Sequence, residues 1–150
     1  MEYTGGCLCK AVRFRITAAP VTMRMCWCRL CQYVAAGNAT VNVVFPSNAI
    51  HIEGELRDYR SIADSGAVMH RRFCPNCGTH VFSEAESRPH LIIVRNGALD
   101  DTDLARPETT IWTAEAPDWA WIDESLPQHA GQPPPLGPIP ARPVPERGED

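Results

Sequence analysis

Sustained helical periodicity is what this 150-residue chain lacks most: no window of about twelve residues keeps apolar side chains on a 3.6-residue repeat, which excludes a helical bundle. No apolar run is long enough to cross a bilayer as a helix, so no membrane partner is expected. Met1-Glu2-Tyr3-Thr4-Gly5-Gly6 offers neither the basic residues nor the apolar stretch of a secretion signal, and a reducing, cytoplasmic setting is expected. Excess positive charge is also absent. The chain has 14 Lys and Arg against 18 Asp and Glu, and a net charge of −4 argues against a nucleic-acid partner. A nucleophile elbow, a phosphate-binding loop and a dinucleotide fingerprint are all missing, as is the H-x-x-x-H spacing of a helical metal site.

Cysteine is the exception to this spare inventory. The seven fall into three tight clusters, Cys7-x-Cys9, Cys26-x-Cys28-x-x-Cys31 and Cys74-x-x-Cys77. An odd number cannot all pair as disulfides, and clustered thiols in a reducing compartment read as metal ligands or redox centres. A thioredoxin-like role for Cys74-Pro-Asn-Cys77 requires a βαβ context that the flanking residues do not provide. Two thiolates a residue or two apart grip one metal ion from a single turn, and tetrahedral Zn²⁺ needs two such grips to close its shell. Cys7 and Cys9 with Cys74 and Cys77 supply a closed set of four. Cys26, Cys28 and Cys31 supply three and leave a position for water or substrate. Two Zn²⁺ per chain are therefore expected, a closed one that folds the protein and an open one that can do chemistry. The competing reading closes the second site with a further His or Asp. His70 and His80, near the Cys74–Cys77 knuckle, are candidates for a ligand or a proton carrier.

Alternation at a two-residue period runs through the rest. Val12, Phe14 and Ile16 alternate with Arg13, Arg15 and Thr17. Further strands are predicted at 40–45, 50–53, 56–60, 68–73, 80–83, 91–95 and 110–113, each bounded by Gly, Pro, Asn or Asp. One short helix is predicted through Gln32–Ala36, ending at Gly37. The fold expected over 1–129 is all-β, built of short antiparallel strands with the cysteines in loops. Trp112, Trp119 and Trp121, with Ile111 and Ile122, are expected to cover its core. From 130 to 150 the composition shifts: seven of the fourteen prolines fall there, which predicts an extended or disordered tail. Charge is uneven as well. Residues 1–75 hold nine Lys and Arg against five Asp and Glu, and 76–150 hold five against thirteen, balances of +4 and −8. Arg24, Arg29, Arg71 and Arg72 lie in the basic half with the middle cluster and suit an anionic ligand.

Three thiolates on Zn²⁺ make a net negative complex, which polarises a carbonyl weakly yet holds an incoming thiol as its thiolate. The middle cluster is thus suited to presenting a sulfur nucleophile. The stretches GGCLCKAVRF at 5–14, CWCRLC at 26–31, RRFCPNCGTHVF at 71–82, NGALDD at 96–101 and the IW…DESLP ending at 111–127 carry a resemblance. Over about residues 3–129 the chain resembles the glutathione-dependent formaldehyde-activating enzyme family, which includes CENP-V-like proteins. The resemblance implies an all-β tent of sheets stapled by a structural zinc at Cys7, Cys9, Cys74 and Cys77. It implies a second, catalytic-type zinc at Cys26, Cys28 and Cys31. The implied partners are glutathione and formaldehyde, and the implied activity is that of a carbon–sulfur lyase, S-hydroxymethylglutathione being formed by addition of sulfur to the aldehyde. Two positions depart from the family pattern: Trp27 stands where the family usually has His, and Lys10 where it usually has Gly. A non-catalytic zinc-binding interaction module is the alternative reading.

Overall fold

Alternating side chains become ten strands in two sheets among residues 2–136, the residues that this computed structural model of the protein describes. In chain order these are β1 (Tyr3–Gly6), β2 (Arg13–Ile16), β3 (Thr22–Cys26), β4 (Thr40–Pro46) and β5 (Ile50–Glu53). Then follow β6 (Arg57–Ile62), β7 (Val68–Phe73), β8 (His80–Ala85), β9 (Leu91–Arg95) and β10 (Thr109–Ile111). One helix, α1 (Arg29–Val34), follows β3. The small sheet has the order β1-β2-β5 and the large one β10-β3-β4-β9-β8-β7-β6. The all-β expectation holds. One pairing departs from the antiparallel rule: β10 runs parallel to β3, Ile111 beside Cys26, because the chain crosses over from β9 by a long connection and not by a hairpin.

The large sheet has two unlike faces, set by strand parity. Val43 and Phe45 of β4, Val94 of β9 and Phe82 of β8 are fully buried on one face. The small sheet covers them with Val12, Phe14 and Ile16, and the Phe14 ring meets Phe82 edge-on at 5.2 Å. Truncating an aromatic in such a core costs about 3–5 kcal/mol. The alternate residues, among them Cys26, Asn42, Val44, Ser83, Ile93 and Arg95, line a cleft on the other face. Gly5 makes the close approach of the two sheets possible, since a Cβ there would lie 2.1 Å from the Ala98 carbonyl oxygen.

Several expectations need correction. The strands β1 and β3 escaped prediction because Tyr3-Thr-Gly-Gly6 is short and glycine-rich, and the Met and Arg of β3 blur its alternation. The helix begins at Arg29, earlier than expected, because the Cys28 sulfur caps it by accepting from the Cys31 N–H at 3.3 Å. Cys26 and Cys31 therefore sit in regular elements and not in loops. Trp119 and Trp121 do not cover the core: they are 68% and 75% exposed, on an irregular segment after β10 whose Trp119 ring meets Trp27 edge-on. Past residue 129 the described chain still lies on the domain, with Ala114 N–H donating to the Ala130 carbonyl at 3.2 Å and Pro133 buried. The part of the proline-rich tail at 137–150 lies outside the described residues.

Asp100 ties the sheets together. Its N–H donates to the Thr4 carbonyl at 2.9 Å, and its carboxylate accepts from the Thr4 hydroxyl at 2.7 Å and from Arg13 Nη1 at 2.9 Å. The Arg13 guanidinium, then the Thr4 hydroxyl, pulls the carboxyl from 3.8 down to about 2. A depressed acid stabilises the fold fully above its unfolded value and loses that contribution as pH falls toward the folded one. The stability gap between wild type and Asp100→Asn is therefore expected to be constant above pH 3.8 and to shrink toward pH 2, as read by denaturant melts across that range.

Candidate functional site

Sequence-distant cysteines meet at the junction of the two sheets. Cys7 and Cys9 lie in the turn after β1, Cys74 and Cys77 in the turn after β7, and their four sulfurs lie within 4.8 Å of one another. The Cys7–Cys9 and Cys9–Cys74 sulfurs are 3.6 and 3.7 Å apart. The second turn is closed by Gly78 N–H to the Cys74 carbonyl at 2.9 Å, with Gly78 at φ 74°. The Thr79 hydroxyl, 3.1 Å from the Cys77 sulfur, pulls that thiol down to about 5. Lys10 takes φ 66°, the left-handed region that accounts for glycine at the corresponding position of the resembled pattern. These turns join the small sheet to the β7–β8 hairpin, next to the edge strand β6 of the large sheet.

The middle cluster is built differently. Cys26 ends β3, Cys28 caps α1 and Cys31 lies in its first turn, and the three sulfurs are buried within 4.8 Å of one another. Gln32 Nε2 fastens the loop, donating to the Trp27 carbonyl at 2.8 Å and to the Glu115 carbonyl at 3.0 Å. Such close sulfurs cannot all ionise unaided. Hydrogen bonding from Cys28 and Cys31, with burial, pushes the Cys26 thiol up, while Cys26 and Cys28 pull Cys31 down. A divalent cation would replace the shared protons, and the donor sets of four and three sulfurs both fit zinc. Among the described residues neither His70 nor His80 joins either set. His70 lies on the outer face between Asp58 and Glu86.

The three sulfurs open on the cleft, whose cavity volume of about 110 Å³ holds several waters, since one needs only about 10–15 Å³. Four arginines line it, Arg24, Arg71, Arg88 and Arg95, against a single carboxylate, Asp64. Two of the four were legible in the sequence. Arg72 follows Arg71 on β7 and so points to the opposite face, toward Glu84 at 3.3 Å. Arg29 turns away to Gln32 at 2.8 Å and lies 5.0 Å over the Tyr33 ring. Arg88 and Arg95 were missed, although an arginine ending the apolar run Leu-Ile-Ile-Val was a usable signal. Arg95 organises the sulfur end of the cleft. It donates to Asn42 Oδ1, to Ser83 Oγ at 2.6 Å and to His80 Nδ1 at 3.2 Å. Burial, then the charges of Arg95 and Arg71, pushes His80 down to about 4, so its imidazole is neutral near pH 7 and carries its proton on Nε2.

An all-β protein with two cysteine sets that fit zinc is the class this geometry defines. The family model described as "Glutathione-dependent formaldehyde-activating enzyme" matches residues 2–115, and the chain belongs to that family. It is 27% identical over 130 residues, 82% of each chain, to a Halomonas elongata protein described provisionally as a glutathione-dependent formaldehyde-activating enzyme. A crystal structure of a Rhodobacter sphaeroides protein shares the fold, with a TM-score of 0.54 at 19% identity over 69% of this chain and 96% of that one. No helix among the described residues is long and apolar enough to cross a membrane.

Arg95→Lys is expected to destabilise the fold by about 1–3 kcal/mol, because an ammonium cannot fork to Asn42 and Ser83 while also satisfying His80. Denaturant melts at neutral pH measure this.

Proposed function

We propose that the protein is a zinc-dependent enzyme of the carbon–sulfur lyase type that adds the thiol of glutathione to a small aldehyde such as formaldehyde. The observation that carries this reading is the contrast between the two cysteine sets. The four-sulfur set sits at a junction of turns, whereas the three-sulfur set faces a cationic cleft. In this reading Cys7, Cys9, Cys74 and Cys77 hold a structural zinc, and Cys26, Cys28 and Cys31 hold the catalytic one. Zinc held by three sulfurs supplies, when bound, a site that favours an incoming thiol in its thiolate form. The chain's own groups do the rest. Arginines lining the cleft hold the anionic tripeptide, and the positive field stabilises negative charge developing on the aldehyde oxygen. In the addition a carbon–sulfur bond forms, the carbonyl π bond becomes a carbon–oxygen single bond, and the thiol proton ends on that oxygen. No electrons are exchanged with a further reactant. A reducing, cytoplasmic compartment would keep both cysteine sets available as metal ligands.

Trp27 bears on the non-catalytic alternative. It is 1% exposed, lies edge-on to Trp119 at 6.2 Å and is not among the residues lining the cleft, so it leaves the three sulfurs open to that space. This weighs against a module whose second site is closed.

Exchange NMR with glutathione and formaldehyde is expected to show adduct formation faster than the spontaneous rate in the zinc-loaded protein; an unchanged rate would sink the activity. The two cysteine sets are expected to respond differently to serine. Cys77→Ser should unfold the domain, since metal binding contributes on the order of 10 kcal/mol to small zinc modules. Cys28→Ser should abolish thiol-dependent rate enhancement with the sheets intact. Circular dichroism, melting and bound-zinc measurements on both variants separate the roles, and unfolding of Cys28→Ser would make the second site structural.

A further inference from the structure

Arg95 carries a positive charge that none of its hydrogen-bond partners cancels. Its guanidinium donates to Asn42 Oδ1, to Ser83 Oγ at 2.6 Å and to Nδ1 of the neutral His80 at 3.2 Å. No ion pair among the described residues includes it. Asp64, the cleft's one carboxylate, lies on the β6–β7 connection, and β8 and β7 separate that hairpin from β9. A desolvated cation without a counter-charge is costly, so an anion is expected beside it.

Strand register says where that anion lies. Arg95 pairs with Asn42 across β9 and β4, Asn42 Nδ2 donates to Thr40 Oγ1 at 3.1 Å, and Thr40 pairs with Cys26 across β4 and β3. Arg95 and Asn42 therefore form the row next to the sulfur end on the same face, roughly 7 Å along the strands from the row of Cys26. Burial pushes the Arg95 guanidinium's pKa down most; the charge of Cys31 pushes it up, Arg71 opposes this, and Cys26 and Cys28 push it up again. Arg24 differs in both respects. Only Cys26 among the sulfurs acts on it, and its Nε is buried without an acceptor among the described residues.

Three thiolates with one Zn²⁺ leave one negative charge over, equal and opposite to that of Arg95. While zinc is held, the sulfurs cannot take up protons to shed that charge, so a fixed cation nearby favours the loaded site. We propose that Arg95 is the counter-charge of the three-sulfur site, a positioning residue that acts from its seat on Asn42, Ser83 and His80 and sets how tightly Cys26, Cys28 and Cys31 hold zinc. This rests on the zinc reading of that cluster and not on which thiol or aldehyde the cleft takes.

Asn42→Asp separates a counter-charge from a merely structural guanidinium. It gives Arg95 a carboxylate partner, which strengthens the attachment of the side chain while cancelling its charge toward the sulfurs. Competition of the two-zinc protein with a zinc chelator, read ion by ion, measures the outcome, with the zinc of Cys7, Cys9, Cys74 and Cys77 as internal control. Asn42→Asp and Arg95→Gln should each loosen the zinc of the three-sulfur site by about ten- to a hundredfold, the scale of outer-shell changes at metal sites, and leave the other ion unchanged. Alkylation of the released thiols identifies the emptied site. Arg95→Lys keeps the charge and loses the fork, so it should hold zinc nearly as wild type does although it melts lower. The one-zinc form of Asn42→Asp should melt no lower than that of wild type. Unchanged or tighter zinc in Asn42→Asp overturns the proposal, as does loss of zinc in Arg95→Lys equal to that in Arg95→Gln. Loosening in Asn42→Asp accompanied by a lower-melting one-zinc form makes Arg95 structural and overturns it too. A wild type that holds a single zinc overturns the zinc reading of the cluster, and the counter-charge with it.

Discussion

Covering one face of the seven-stranded sheet is the constraint from which the rest of this structure follows. Val43, Phe45, Phe82 and Val94 form an apolar surface that must leave water, and only the small sheet, with Phe14 and Ile16, is placed to cover it. Burial on this scale is the dominant favourable term in a domain of this size. The same docking brings the turn after β1 against the turn after β7, and so collects sulfurs 65 residues apart in the chain. Without the docked sheet, neither pair of cysteines would have the other to complete a tetrahedral set.

The opposite face is left to polar work. Strand parity turns Arg24, Arg71 and Arg95 toward the cleft while their sequence neighbours go into the core or out to solvent. Three buried sulfurs and four cations share this space, and each group's charge state depends on the others. A neutral His80 beneath Arg95 and Arg71 is one consequence: the surrounding cations and burial exclude a further positive charge there. The hydrogen bonds of Arg95 to Asn42 and Ser83 link three adjacent strands across the cleft floor, which stiffens the surface on which the sulfurs sit.

A long crossover completes the rim. From β9 the chain passes to β10, which pairs parallel with β3 and places Ile111 beside Cys26. Trp112 then donates from Nε1 to Gln132 Oε1 at 3.0 Å, and both residues border the cleft. The segment that anchors the middle cluster, through Glu115 to Arg29 N–H at 2.7 Å, thus also shapes its entrance.

By itself the sequence determined the strand character of the domain, the grouping of the cysteines and their division into four and three. These are local properties: a two-residue alternation states that an element has two faces, and short cysteine spacing states that a turn can grip one ion. Arg71 and Arg72 mark where local reading ends, because parity separates them onto opposite faces without stating which face holds the cleft. Arg88 and Arg95 show the same limit, since only the register of β4, β9 and β8 brings them to the sulfurs' side. Trp119 and Trp121 invited the wrong inference, because aromatic character measures the gain from burial and not whether the backbone reaches the core. Tertiary structure alone decided which charges meet, because register and sheet docking are set by contacts between residues far apart in the chain, and no local pattern encodes those.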